Sequence, residues 1–322
     1  MRALSCSDGS LAVGEPLAGT APQAVSWVAL EQNGPWGPRA FTDSHLDAEV
    51  GRALEDVAAR HAVRPSLIRR PGRHADDQRA HESRRHVLVA HTRPGFTWLL
   101  EGEVEEPADL LRLDWAGLGS GEQESVRRSV PSLRASTRTH LLVCTNGKRD
   151  VCCAVKGRPV ALGAAAERPN QVWEVTHTSG HRFAPTAVLL PAGTLHGHLD
   201  VAAASALLHA AERGETVLPG SRGRSTWPGP AQAAELAVRE LHDILDLDAL
   251  AVTRHEPTGE RSWAVEILHR DGRTWRVGVE SRDSEVMRAE SCGKALKPMT
   301  WFAEVTERGG SPSSRGARVT QE

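Results

Sequence analysis

Short runs of alternating or continuous apolar residues, each closed by Gly, Pro, Asn or Asp, set the rhythm of the first third of this chain. AVSWVALEQ, from Ala24, predicts a strand, with NGPWGP as the turn after it. Asp43 or Ser44 is placed to cap a helix in which Leu46, Val50, Leu54 and Val57 recur at helical spacing. PSLIRR, RHVLVAHT and FTWLLEGEV read as three more strands, so residues 1–116 are expected to form an α/β lobe. The segment from Gly117 to Ser136, rich in Gly, Ser, Glu and Arg, reads as a linker.

The same order of elements then returns. THLLVCT predicts a strand, VCCAVKGRPVALGAAAERP a loop running into a helix, and QVWEVTHT a second strand. AVLLPAG and TLHGHLD add two strands, and DVAAASALLHAAERG a closing helix with an apolar Ala/Leu face. Strand, helix, strand, antiparallel pair and closing helix is the thioredoxin-like order, an α/β fold expected over residues 137–218. The two halves have negligible sequence identity, so pattern alone suggests that the first lobe is a degenerate thioredoxin-like half. Beyond it, AQAAELAVRELHDILDLDAL predicts an amphipathic helix with Leu236, Leu241, Ile244 and Leu245 on or near one face. SWAVEILHR and TWRVGVES, joined by DGR, predict a hairpin, making residues 228–306 a small α+β segment. Residues 307–322, rich in Gly, Ser and Arg, read as a disordered tail.

Composition narrows the classes. A length of 322 residues allows two or three domains, and a net charge of −2 supplies no basic field for nucleic acid. No apolar run is long enough to span a bilayer, and MRALSCSDGSLAVGEPLAG reads as mature chain rather than a signal peptide. Five cysteines, an odd number, make poor material for a disulfide framework, so a reducing, cytoplasmic setting is expected. The lysines are Lys148, Lys156, Lys294 and Lys297, each within a few residues of a cysteine, as if these segments shared one constrained surface. Nine tryptophans scattered at strand and turn positions suit packing better than base stacking.

Chemistry concentrates in the middle of the chain. Cys144 ends a predicted strand and Cys153 opens the following helix, where the helix N-terminus favours thiolate. His177 ends the next strand, and His181 follows it across a Ser-Gly turn whose tight path Gly180 permits. Two thiolates and two neutral imidazoles complete a tetrahedral zinc site or hold the two irons of a [2Fe–2S] cluster. Zinc fingers pair cysteines more tightly than the eight residues between Cys144 and Cys153, which mildly favours a cluster. Cys152 is an extra thiol beside the pair, either a spare or an alternative ligand in place of its neighbour. His196 and His198 are expected to share one face of a strand without ligating, and Cys6 and Cys292 read as plain thiols. Lys148, Arg149 and Asp150 lie in the loop between the cysteines, either as a solvated turn or as support for the centre. Thr178 and Ser179 read either as donors to cluster sulfur or, more ordinarily, as turn residues. The basic run GSRGRSTW from Gly220 reads as a surface loop.

CTNGKRDVCCAVKGRP, HTSGHRFAPTAVLLP and GRSTWPGPAQAAE, with EPLAGTAPQAVSWVALEQNGPWG before them and SCGKALKPMTWF after, resemble the sucrase/ferredoxin-like family. The resemblance implies a thioredoxin-like ferredoxin domain holding a [2Fe–2S] cluster, with Cys144, Cys153, His177 and His181 as its ligands. The expected function is electron transfer or redox sensing with an unidentified redox partner protein, and without nucleic acid, membrane or sugar hydrolysis. Two alternatives stand beside it: a zinc-stabilised structural or interaction domain, and a metal-free thiol oxidoreductase using Cys152 and Cys153.

Overall fold

The computed structural model of the chain describes residues 5–72 and 84–308. A single mixed sheet takes its strands from both predicted α/β regions: β1 (Ser26–Glu31), β2 (Val63–Arg69), β3 (Arg85–His91), β4 (Trp98–Val104), β5 (Arg134–Ser136), β6 (His140–Cys144), β7 (Val172–Val175), β8 (Ala187–Leu190), β9 (Thr194–His196) and β10 (Ser221–Arg224). Their order is β10-β9-β8-β6-β7-β2-β1-β3-β4-β5. Read outward from the centre, the halves repeat one pattern: β2-β1-β3-β4-β5 and β7-β6-β8-β9-β10. In each half the two innermost strands run parallel and the third pairs antiparallel with the second.

The halves meet where β2 and β7 pair antiparallel through Ile68↔Val175 and Arg69↔Glu174. Arg69 donates to Glu174 Oε2 from Nη2 at 2.6 Å and from Nε at 2.8 Å, and its guanidinium stacks on Trp36 at 4.1 Å. A buried ion pair of this geometry satisfies both charges at the seam.

Six helices accompany this sheet: α1 (Cys6–Ala12), α2 (Ala48–Arg60), α3 (Trp115–Ser120), α4 (Gln123–Ser129), α5 (Val151–Glu167) and α6 (Val201–Glu212). Side-chain alternation assigns the faces. Val28 and Leu30 of β1 pack with Leu54 and Ala58 of α2, with Leu118 of α3 and with Val126 of α4. Leu141 and Val143 of β6 pack with Val160, Ala161 and Ala164 of α5 and Leu207 and Leu208 of α6. The opposite face buries Trp27, Ala29, Ile68, Leu142, Trp173 and Val175 in a core that also takes in Cys144, Cys152 and Cys153. Ile68 and Val175 are register partners in that core, so the helices of both halves cover the same side of the sheet.

A third unit follows: α7 (Gly229–His242) packs on an antiparallel sheet of β11 (Leu250–Gly259), β12 (Ser262–His269), β13 (Thr274–Asp283) and the last strand. Between β13 and that strand an excursion carries the two-residue strands β14 (Arg288–Ala289) and β15 (Leu296–Lys297), before β16 (Thr300–Arg308) closes the sheet.

The mixed α/β class and the predicted helix-hairpin at the end of the chain match this architecture. Several local expectations do not. The supposed linker folds into α3, α4 and β5, because Leu118, Val126 and Leu133 bury themselves on the core over β1. The cap of α2 is Asp47, which accepts from Glu49 and Val50, while Asp43 is engaged in a turn with Arg39. On α7 only Leu236 of the expected stripe is buried within the helix; Leu241 is exposed. Strand β9 ends at His196, and His198 lies beyond it with a positive φ of 53°, so the two do not share a strand face. The segment GSRGRSTW is no surface loop: it forms β10, with Arg222 and Arg224 buried. Most of the predicted disordered tail, residues 309–322, lies outside the described residues, and residues 307–308 belong to β16. Among the described residues no helix is long and apolar enough to cross a membrane.

Candidate metal centre

The quartet assembles at one end of the second half-sheet. Cys144 is the last residue of β6, and its backbone N–H donates to Thr186 O at 2.8 Å. Asp150 caps α5 by accepting from the Cys152 N–H, which sets Cys152 and Cys153 in the first turn. The helix approaches β6 closely because Gly157 lacks a side chain: a Cβ there would collide with the Cys144 carbonyl oxygen. Cys144 and Cys153 are thereby buried within one core.

His177 and His181 come from the turn after β7, where Ser179 and Gly180 both take positive φ, 62° and 71°. Their rings stack with centroids 4.7 Å apart. His181 Nδ1 lies 3.3 Å from Cys153 Sγ, and His177 Nδ1 is buried with no hydrogen-bond partner. Two arginines frame this turn from behind. Arg64 Nη2 donates to the His177 carbonyl and to Ser179 Oγ, each at 3.2 Å. Arg222 donates from Nη1 to the Ser179 carbonyl at 3.0 Å, and from Nη2 to the Thr20 carbonyl. Burial lowers the Arg222 pKa to about 9 and that of Arg64 to about 10, so both remain cations at neutral pH.

The thiols share a proton unequally. Hydrogen bonding from Cys153, with His177 also in reach, holds Cys144 well below the ordinary thiol range despite its burial. The same hydrogen bond and burial push Cys153 up. The two thiols therefore act as one coupled pair, with the first proton lost more easily than the second. Burial, with His177 beside it, holds the His181 imidazole below the ordinary histidine range and so neutral. A cleft of about 460 Å³ opens beside His177, lined in part by Arg39, Arg64, Asn146 and Arg149.

All four expected site residues are thus brought together through pairwise contacts. The loop residues divide. Asp150 accepts N–H groups as a supporting residue does, Arg149 donates to the Pro38 carbonyl, and Thr178 bonds Thr186 through its hydroxyl while its backbone hydrogen-bonds Cys144. His196 is buried with both ring nitrogens unpartnered, and His198 meets Phe183 edge-on.

The expectation that Cys6 and Cys292 are plain thiols needs correction. Cys152 turns away from the quartet to lie 3.1 Å from Cys292 Sγ and 3.6 Å from Cys6 Sγ, and the latter two are 3.4 Å apart. With Asp150 they form a group whose donor atoms all lie within 4.8 Å of one another, a buried Cys/Asp site able to hold a metal. Among the described residues it is the one set of three or more His, Cys, Asp or Glu that is so compact; the quartet is more spread. The lysines near cysteines were the one sign of it in the sequence: Lys156 reaches back to Asp8 and Ser7 of α1, beside Cys6.

The profile of one protein family, described as sucrase/ferredoxin-like, matches residues 17–223, well over half of the chain. The chain belongs to that family. The matched span of this sucrase/ferredoxin-like protein runs from the segment before β1 to β10 and contains the whole quartet, but leaves Cys6 and Cys292 outside it. No curated protein and no solved structure matches the chain.

Proposed function

We propose that this sucrase/ferredoxin-like chain is an iron–sulfur redox protein, an electron carrier or redox sensor, binding one [2Fe–2S] cluster through Cys144, Cys153, His177 and His181. The observation that carries the reading is the orphaned, buried Nδ1 of His177, stacked against the ring whose own Nδ1 meets Cys153. A buried polar atom without a partner is costly unless something fills the gap, and a metal does so. Two thiols and two imidazoles, not gathered as compactly as the Cys6/Asp150/Cys152/Cys292 group, are a donor set that suits a dinuclear centre.

When bound, such a cluster accepts and returns one electron. The chain's own residues do the rest. Cys144 and Cys153 supply thiolate charge, and His177 and His181 supply neutral nitrogen, which lowers the net negative charge at the centre and favours a higher potential. His181 turns its Nδ1 to Cys153, which leaves its Nε2 to hold an exchangeable proton. Arg64 and Arg222 fix the turn that carries both rings and place positive charge behind it. The arginine-lined cleft beside His177 supports the approach of a redox partner protein there. The strand order of each half supports a thioredoxin-like reading, with the ferredoxin unit over residues 137–218 between a degenerate lobe at 1–116 and the α+β segment at 228–306.

Cys152 and Cys153 engage different partners, which lends no support to a dithiol oxidoreductase. Anaerobic purification followed by iron, sulfide and zinc analysis with a visible spectrum tests the assignment. Iron and sulfide in equal amounts, with colour abolished in Cys144→Ser or Cys153→Ser, is expected. A colourless wild-type protein, or colour that survives both substitutions, would overturn it.

A further inference from the structure

Three cysteines that lie far apart in sequence meet at the first turn of α5. Cys6 comes from α1, Cys152 from α5 and Cys292 from the excursion between β14 and β15. Their sulfurs are separated by 3.1, 3.4 and 3.6 Å, and Cys6 Sγ lies 3.7 Å from Asp150 Oδ2. None is in a disulfide. A coordination sphere gives the relevant scale. Zinc–sulfur bonds of about 2.3 Å and zinc–oxygen bonds of about 2.0–2.2 Å at tetrahedral angles give S···S edges of roughly 3.8 Å and S···O edges of roughly 3.5 Å. The observed S···S edges are all shorter than those of one mononuclear tetrahedron, so a bound ion would spread the sulfurs slightly, and they are far too short for thiolates held on separate metal atoms.

We propose that Cys6, Cys152, Cys292 and Asp150 form a structural zinc site, distinct from the Cys144/Cys153/His177/His181 centre. Three thiolates and one carboxylate select a borderline-soft ion over magnesium or calcium. Hydrogen bonds already hold the carboxylate in place. Its Oδ2 accepts from Ser291 Oγ at 2.6 Å and from the Cys292 N–H at 2.8 Å, and its Oδ1 accepts from the Cys152 N–H at 2.9 Å. On binding, the three thiols release their protons to solvent and zinc changes no oxidation state.

The fold shows what the ion is for. The excursion that carries Cys292 has two strands of two residues each, buries Met299 and leaves Val286, Met287 and Leu296 exposed. Helix α1 has seven residues. Helix α1 is tied by Lys156, which donates to Ser7 and Asp8, and by Ser7 donating to the Ala184 carbonyl. The excursion is tied by Ser291 and Cys292 on Asp150 and by the Arg288–Glu15 ion pair at 3.2 Å. Neither piece has a large core of its own. Small units of this kind need a staple. The zinc site ties both to α5 at Cys152, next to Cys153, and so fixes the turn from which a quartet residue projects. The proposal stands on these distances and does not depend on what the quartet binds.

The test is elemental analysis of the full-length chain, purified reduced and anaerobically, as wild type and as Cys6→Ser, Cys292→Ser and Cys153→Ser. Wild type should retain roughly one zinc per chain through gel filtration. Cys292→Ser and Cys6→Ser should lose zinc while keeping whatever visible absorbance the wild type has, and Cys153→Ser should keep zinc. Should Cys6→Ser fail to fold, the half-buried Cys292 position still gives the readout, as does zinc release on alkylation of wild-type thiols. Wild type that takes up no zinc even when incubated with it would overturn the proposal. So would a Cys152–Cys292 disulfide found in its place, or zinc content unchanged in Cys292→Ser.

Discussion

The guanidinium of Arg222 fills the space that a side chain on Gly180 would need: a Cβ on Gly180 would lie 2.5 Å from Nη2. The turn between His177 and His181 is therefore closed from behind by a buried cation and favours glycine at its tip. Its φ of 71° adds a second reason. Gly180→Ala is expected to cost about 1–3 kcal/mol of stability and to displace the imidazoles. Iron per chain and the visible spectrum should fall together; full iron content in the variant would show that the turn is not what orients the rings.

Arg222 itself offers a separate test. Arg222→Leu leaves the carbonyls of Thr20, Thr178 and Ser179 without their donor, but also removes a buried charge, so a net loss of about 1–3 kcal/mol is expected. Loss of the positive charge should also lower the midpoint potential, because the reduced centre is the more negative state. Redox titration of the variant checks the direction.

The seam between the halves rests on Arg69 and Glu174, both buried. Glu174→Leu alone strands a buried guanidinium and should destabilise by roughly 3–5 kcal/mol, whereas Arg69→Met with Glu174→Leu should recover much of that loss. Denaturant unfolding of the two single variants and the double variant gives the coupling. Additive effects would mean that the pair does not act as a unit.

His196 makes acid stability dependent on burial. Burial and the nearby Arg222 charge lower its pKa to about 3 in the folded chain. An unfolded histidine titrates near about 6.5, so below that pH the unfolded state takes up a proton that the folded state refuses. The protonation difference therefore vanishes above about pH 7, and stability drains away as pH falls from about 6.5 towards 3, by roughly 2–3 kcal/mol at pH 4.5. His196→Leu should flatten that part of the stability profile, as measured by urea unfolding at stepped pH.

Much of this was legible in the sequence because it depends on local pattern. SWVALE, HLLVC and VWEV are buried along nearly their whole length and read as strands, and the quartet stands out by residue type at the ends of such strands. What was not legible depends on contacts without a local signature. Arg69 and Glu174 look like surface charges in any window that excludes the other. Arg222 and Arg224 looked solvated because nothing nearby in sequence announces the carbonyls that receive them. Cys6 and Cys292 meet across 286 positions, a distance at which neither periodicity nor spacing carries information.

The most direct test of the central assignment is the midpoint potential of His177→Cys and His181→Cys against wild type. Replacing a neutral nitrogen by a thiolate adds negative charge at the centre, so both variants should remain coloured and titrate at lower potential. Potentials unchanged in both would remove the histidines from the centre and contradict the account.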